Sequence, residues 1–180
     1  NFYMNNLKKI NDYEFENSQF TGDFDCQNLQ TVGSYAFRDS NFTGDFDCPN
    51  LQEVGNAAFR YSQFTGSFNC PNLQTVGYQA FFSSKFTGDF KCPNLTSIGN
   101  YAFRDSNFNG SFNCPNLTNI GNYAFRDSTF DTITIGANAT LGTNCIGAHS
   151  EEFIADYTAN NKLAGTYVWD SNTQHWIYQN

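Results

Sequence analysis

The chain has 180 residues, with 17 Asp and Glu against 9 Lys and Arg and a formal net charge of −8. An acidic chain without a basic cluster argues against nucleic acid as a partner, because phosphate binding needs surplus Lys and Arg, and against an anionic membrane surface. No run of 18 apolar residues is present to insert into a bilayer as a helix, and the length suits one domain or one array of small repeats.

The array shows itself through its cysteines. Cys26, Cys48, Cys70, Cys92 and Cys114 recur every 22 residues. Six units follow, at 4–25, 26–47, 48–69, 70–91, 92–113 and 114–135, with Met4 in the cysteine place of the first. Asn1-Phe2-Tyr3 reads as the tail of an earlier unit, since Phe2 shares the register of Phe24 and Phe46, so the array is expected to continue upstream. In unit 48–69 the apolar places are Cys48, Leu51, Val54, Ala58, Phe59, Phe64 and Phe68. One such turn cannot bury them alone, whereas stacked turns can. Each buried Leu, Val or Phe contributes roughly 1.5–3 kcal/mol, so ladders drawn from the 20 Phe residues should dominate stability.

Within a unit, local chemistry sets the path. Phe64-Thr65-Gly66-Ser67-Phe68-Asn69-Cys70 alternates as a half-buried strand. Pro71-Asn72 turns the chain, Leu73 and Val76 mark a second inward segment, and Gly77 allows a bend. Ala80-Phe81 anchors a short helical or irregular turn. The predicted fold is a repeat solenoid of leucine-rich-repeat type. It has a parallel β-sheet on one face, short helical or irregular turns on the other, and a small α/β C-terminal cap.

The array occupies 1–135 and the cap 136–180. Ser150 is a plausible N-cap, with Glu151 and Glu152 in a first turn where carboxylates suit the helix dipole. Phe153, Ile154 and Tyr157 then give one apolar face, so a helix is expected at about 150–160. A hairpin is expected at about 166–178 around Asp170-Ser-Asn-Thr173. Trp169 and Trp176 in it either seal the last turn, the preferred reading, or form a carbohydrate platform.

The string Asn94-Leu95-Thr-Ser-Ile98-Gly99-Asn-Tyr-Ala102-Phe103, recurring over 4–135, resembles the leucine-rich repeats of the BspA-like (treponemal-type) family. Two departures stand out. Ser40, Ser62, Ser84, Ser106 and Ser128 stand where the family commonly has Cys, and Phe-x-Gly-x-Phe-x-Cys replaces the usual Leu/Ile strand. The resemblance implies a bacterial cell-surface or secreted protein, often one that adheres to matrix proteins or cells. It implies no catalysis and no particular ligand.

Candidate chemistry is sparse. The cysteines are expected as buried free thiols, because stacked equivalents lie about 4.8 Å apart at Cβ, too far for a disulfide, and no zinc spacing occurs. Cys145, outside the period, is the one thiol expected to react readily in the folded state. Asp23, Asp25, Asp45, Asp47 and Asp89 recur on the strand face, either as a solvated acidic surface or as calcium bridges between turns. Arg38, Arg60, Arg104 and Arg126 recur beside Asp39, Asp105 and Asp127 as local ion pairs, while Tyr61 and Phe82 form a candidate aromatic anchor. No nucleophile motif surrounds His149 or His175, no phosphate loop is present, and no cofactor is expected. The sequence therefore predicts a non-enzymatic, extracellular or cell-surface module that binds a protein or glycan ligand, the alternative being a spacer without a ligand of its own.

Overall fold

A computed structural model describes residues 1–179 as a parallel β-solenoid of about six turns, followed by one short helix and an antiparallel hairpin. Each turn has three sides. The first carries the broad strands, for example Thr21–Asp25, Asn41–Asp47 and Asn107–Cys114. The second carries two-residue strands such as Lys9–Ile10, Thr31–Val32 and Ser97–Ile98. The third is a stack of turns.

The strand organisation departs from the expected single sheet on one face. The two-residue segments ending in Ile10, Val32, Val54, Val76, Ile98, Ile120 and Leu141 form a sheet of their own, seven strands long. From Val32 onward a glycine follows each inward Val, Ile or Leu, and Ile10 is followed by Asn11. A Cβ added at Gly33, Gly55, Gly77, Gly99 or Gly121 would fall 2.4–2.7 Å from the backbone of the preceding turn. The broad strands, in turn, fall into two sheets. One runs from Phe2–Tyr3 to Phe68–Asn69, and the other from Thr87–Lys91 to the C-terminal hairpin.

On the third side the turns are irregular, yet bonded from one to the next. Phe37, Phe59 and Phe81 donate their N–H to Ala58, Ala80 and Ala102, each at 2.7 Å. Left-handed residues recur here in register, at Tyr35, Ala57, Gln79, Tyr101 and Tyr123. They turn the peptides so that, within the stack, successive N–H groups point toward the C-terminal end.

Phenylalanine fills the interior in columns. Phe24 stacks on Phe46 at 5.0 Å, Phe37 on Phe59 at 5.1 Å and Phe42 on Phe64 at 5.4 Å, with planes within 9° of parallel. Between columns the rings meet edge to face, as Phe24 and Phe37 do at 79°. Parallel, offset packing along a column and T-shaped packing across it both suit the ring quadrupole. Ser84, Ser106 and Ser128, at family cysteine positions, are buried. Their hydroxyls donate to the carbonyls of Ser62, Ser84 and Ser106 one turn earlier, which satisfies them.

All six cysteines are free and buried. Cys145 is among them, fully covered, which corrects the expectation that it would react readily. Burial pushes its thiol up to about 11, and raises those of Cys48, Cys70, Cys92 and Cys114 above the ordinary thiol range.

The helix spans Ser150–Ala159, but its N-cap is His149, left-handed at φ 57° and without a side-chain cap bond. Ser150 is the first helical residue and turns inward, where its Oγ accepts the Ile146 N–H at 3.4 Å and lies 3.9 Å from Cys145 Sγ. The cap is fixed to the array by Tyr157, whose hydroxyl donates to Gly136 O at 2.6 Å and accepts the Ala139 N–H at 3.0 Å. The hairpin strands Gly165–Asp170 and His175–Gln179 extend the second broad sheet. Trp176 is buried and donates Nε1–H to His149 O, so it seals the last turn. Trp169 stacks on the His149 ring at 3.8 Å.

Candidate functional site

The repeated aspartates of the broad-strand face have a structural task. Asp23 accepts the backbone N–H of Asp45 at 3.1 Å, Asp45 that of Ser67 at 2.7 Å, and Asp89 that of Ser111 at 2.7 Å. Each carboxylate reaches one turn ahead by lying over a glycine. A Cβ on Gly44, Gly66 or Gly110 would stand 1.9, 2.1 or 2.2 Å from the respective aspartate Oδ1. The same device recurs on the second side, where Asp12, Asn56 and Asn100 accept the N–H of Ser34, Tyr78 and Asn122 beside Gly33, Gly77 and Gly121.

Where the acceptor is missing, the ladder opens. Ser67 is too short to reach the N–H of Asp89, Gly88 meets nothing within 4 Å of its Cβ position, and the broad sheet breaks between these turns. Gly66→Ala is therefore expected to displace the Asp45 carboxylate and cost about 1–3 kcal/mol. In an Asp45→Ala background the same substitution should cost clearly less, as a double-mutant cycle by urea unfolding would measure. Equal costs in the two backgrounds would refute the interlock.

The outer aspartates are likewise engaged. Gln27 donates to Asp25 at 2.6 Å and Asn69 to Asp47 at 2.7 Å. Lys91 lies against Asp89 and, by that bond, holds its carboxyl below the usual range. Among the described residues no group of three or more His, Cys, Asp or Glu is placed to hold a metal ion. The stacked carboxylates that suggested calcium bridges accept instead from backbone N–H groups, side-chain amides and the Lys91 ammonium.

Tyr61 and Phe82 come together on the stacked-turn side, with ring centroids 5.8 Å apart and planes at 90°. Tyr61 is 41% exposed. Around them sits an alternation the sequence did not show. The Arg60 guanidinium lies 4.6 Å from the Tyr61 ring centroid and 5.6 Å from that of Phe82, and Arg104 lies 5.3 Å from Phe82 on the next turn. Phe82 thus stands between two guanidinium planes, and Arg60 also donates to the Tyr61 hydroxyl at 2.7 Å. Arg60 Nε and Arg104 Nε are buried without a hydrogen-bond partner among the described residues. Of the expected ion pairs, Arg38 reaches Asp39 at 3.3 Å and, more closely, Glu16, while Arg104 is 3.8 Å from Asp105.

A second column, of tyrosines, was missed from sequence. Tyr13 stacks on Tyr35 at 5.0 Å and Tyr101 on Tyr123 at 5.4 Å. The 22-residue period was the available signal, because it puts Tyr101 and Tyr123 in one place on successive turns, three residues before Arg104 and Arg126. On the broad-strand face Tyr3 is exposed at the first strand, beside Asp23 and without a guanidinium neighbour among the described residues. The stacked-turn side alone combines exposed rings with guanidinium groups.

No curated protein shows significant similarity to the chain. The family model for the BspA type leucine rich repeat region matches in six copies, over residues 2–109 and 30–151. These spans cover the stacked turns and both interlocked ladders, and they take in most of the chain. Leucine-rich-repeat solenoids are typically binding scaffolds without catalysis, and this type is commonly linked to cell surfaces or adhesion. The chain belongs to the BspA-type leucine-rich-repeat family.

Proposed function

We propose that this chain is a non-enzymatic recognition module, displayed outside or at the surface of a cell, that binds a protein or glycan through the stacked-turn side of the solenoid. The observation that carries this reading is the Arg60–Phe82–Arg104 sandwich beside exposed Tyr61. Aromatic and Arg side chains supply most interface energy, and their packing against one another holds these long side chains in place before a ligand arrives. The carboxylates of the broad-strand face are tied to backbone and amide donors, which leaves them fewer lone pairs for a partner.

The test is a screen of matrix proteins and immobilised glycans with the isolated chain, followed by two double variants. Tyr61→Ser/Phe82→Ser is expected to weaken any captured ligand at least about tenfold, in line with loss of an aromatic hot spot. Asp45→Asn/Asp47→Asn is expected to leave it unchanged. The reverse pattern would place recognition on the broad-strand face. Capture of nothing in the screen would favour the spacer reading.

A further inference from the structure

At the C-terminal end of the stacked-turn side the two columns stop, and their ending forms a recess. Its volume is about 310 Å³, and Tyr101, Arg104, Tyr123, Arg126 and Asn144 line it. It exists because the next turn lacks the side chains that would continue the columns. Tyr123 donates its N–H to Thr143 O, and Phe125 to Cys145 O, so Asn144 takes the place of the next tyrosine and Gly147 that of the next arginine. One face of the Tyr123 ring is covered by Tyr101. On its other side the following turn offers a short amide in place of an aromatic ring.

Three observations fix the charge the recess would accept. No carboxylate lines it. The Arg126 guanidinium has neither an ion pair nor a hydrogen bond among the described residues, and its side chain is on the exposed surface. The neighbouring Asp127 does not neutralise it, because that carboxylate is turned back to accept the Asp105 N–H at 3.1 Å.

Shape and surroundings narrow the ligand further. A ring face beside phenol, amide and guanidinium donors suits a saccharide, whose C–H face packs on an aromatic ring while its hydroxyls bond to those groups. The volume lies at the small end of ligand pockets, roughly 300–1,000 Å³, and accommodates a single sugar ring. The chain as a whole carries −8, so a polyanion would be repelled, whereas a ligand with one negative charge would be repelled little. We infer that this recess binds one carboxylate-bearing sugar, such as a uronic or sialic acid residue at the end of a glycan, with the carboxylate on Arg126 and the ring on Tyr123. This deepens the recognition role proposed above and rests on it for biological meaning, though not for its test.

The experiment uses the 180-residue chain and methyl glucuronide, methyl sialoside and neutral methyl glucoside, read by ligand-observed NMR and titration. At least one acidic sugar should bind with Kd on the order of 1 mM, as expected for so small a ligand, and at least about tenfold more tightly than methyl glucoside. Arg126→Gln and Tyr123→Ala should each weaken it at least about tenfold. Lys91→Gln, which removes the same charge from another side, should not. Acetate and a short peptide ending in Asp are run alongside. Equal binding of either would show a general carboxylate site and overturn the saccharide assignment, and the absence of any acidic preference would overturn the site. If acidic sugars fail while the broader screen captures a ligand sensitive to Tyr61→Ser/Phe82→Ser, the recess is refuted and the recognition role stands. If they bind while that screen captures nothing, the recess stands and the Tyr61–Phe82 surface loses its assigned role.

Discussion

Above about pH 9 the protein is expected to unfold cooperatively, with stability falling by roughly 7 kcal/mol per pH unit, because its thiol ladder cannot ionise in place. Five thiols, those of Cys48, Cys70, Cys92, Cys114 and Cys145, are raised by burial. In the unfolded chain each titrates near about 8.5. The folded state therefore holds protons that the unfolded state releases once the pH exceeds that value. Their contribution is fully present below about pH 8.5 and is lost as pH rises toward the folded values, at about 1.4 kcal/mol per unit per thiol. For Cys145 the loss continues to about 11, and for Cys114, held higher still, it continues beyond that. Cys26 adds nothing, since the hydrogen bond from the Cys48 thiol lowers it.

With a total stability of about 5–15 kcal/mol, this slope puts the midpoint near about pH 10. Urea unfolding followed by circular dichroism from pH 7 to 10 measures it. Cys92→Ala should reduce the slope by about 1.4 kcal/mol per unit, one thiol's worth. A thiol reagent at pH 7 should find all six cysteines slow in the native protein and fast after denaturation. A slope under about 2 kcal/mol per unit between pH 9 and 10 would show that the buried ladder ionises within the folded chain, and would sink the linkage argument.

Phe59→Ala should destabilise the array by about 3–5 kcal/mol, the range for deleting a fully buried aromatic side chain. Phe59 is fully buried and stacks on Phe37 and Phe81, both at 5.1 Å. It also meets Phe24 and Phe46 edge-on at 5.1 and 5.0 Å. The rigid, interlocked turns on either side cannot collapse into the space, because their separation is set by backbone hydrogen bonds. Phe15, at the equivalent place one end of the array, is only half-buried and packs against the core from its edge, so Phe15→Ala should cost clearly less.

In a solenoid each turn contacts only its neighbours, and a central defect weakens the coupling between two halves. Phe59→Ala should therefore lower the m-value or split the urea transition as well as lower its midpoint, while Phe15→Ala leaves a single transition. Equal midpoints for the two variants would show that the Phe columns do not carry the stability assigned to them.

Much of this molecule follows from periodicity. The 22-residue spacing of Cys26 to Cys114 established a stacked array, because a repeat that cannot bury its own apolar residues must bury them on a copy of itself. Inward Phe, Leu and Val places were legible for the same reason, as was the proximity of Tyr61 and Phe82, one turn apart.

Three things were decided only by the tertiary structure. The purpose of the aspartates was hidden, because Asp45 and Gly66 are 21 residues apart and their interlock is visible only when turns are superposed. The division of the strands into three sheets depended on backbone approach at Gly33 and its equivalents and on the missing acceptor at Ser67, neither of which alternation of polar and apolar residues reports. The burial of Cys145 and the recess beside Arg126 arise where the cap meets the last turn and the repeat is no longer obeyed. A periodic sequence specifies what each turn does to its neighbour. It cannot specify what happens where a neighbour differs, since that depends on which side chains the irregular turn fails to supply.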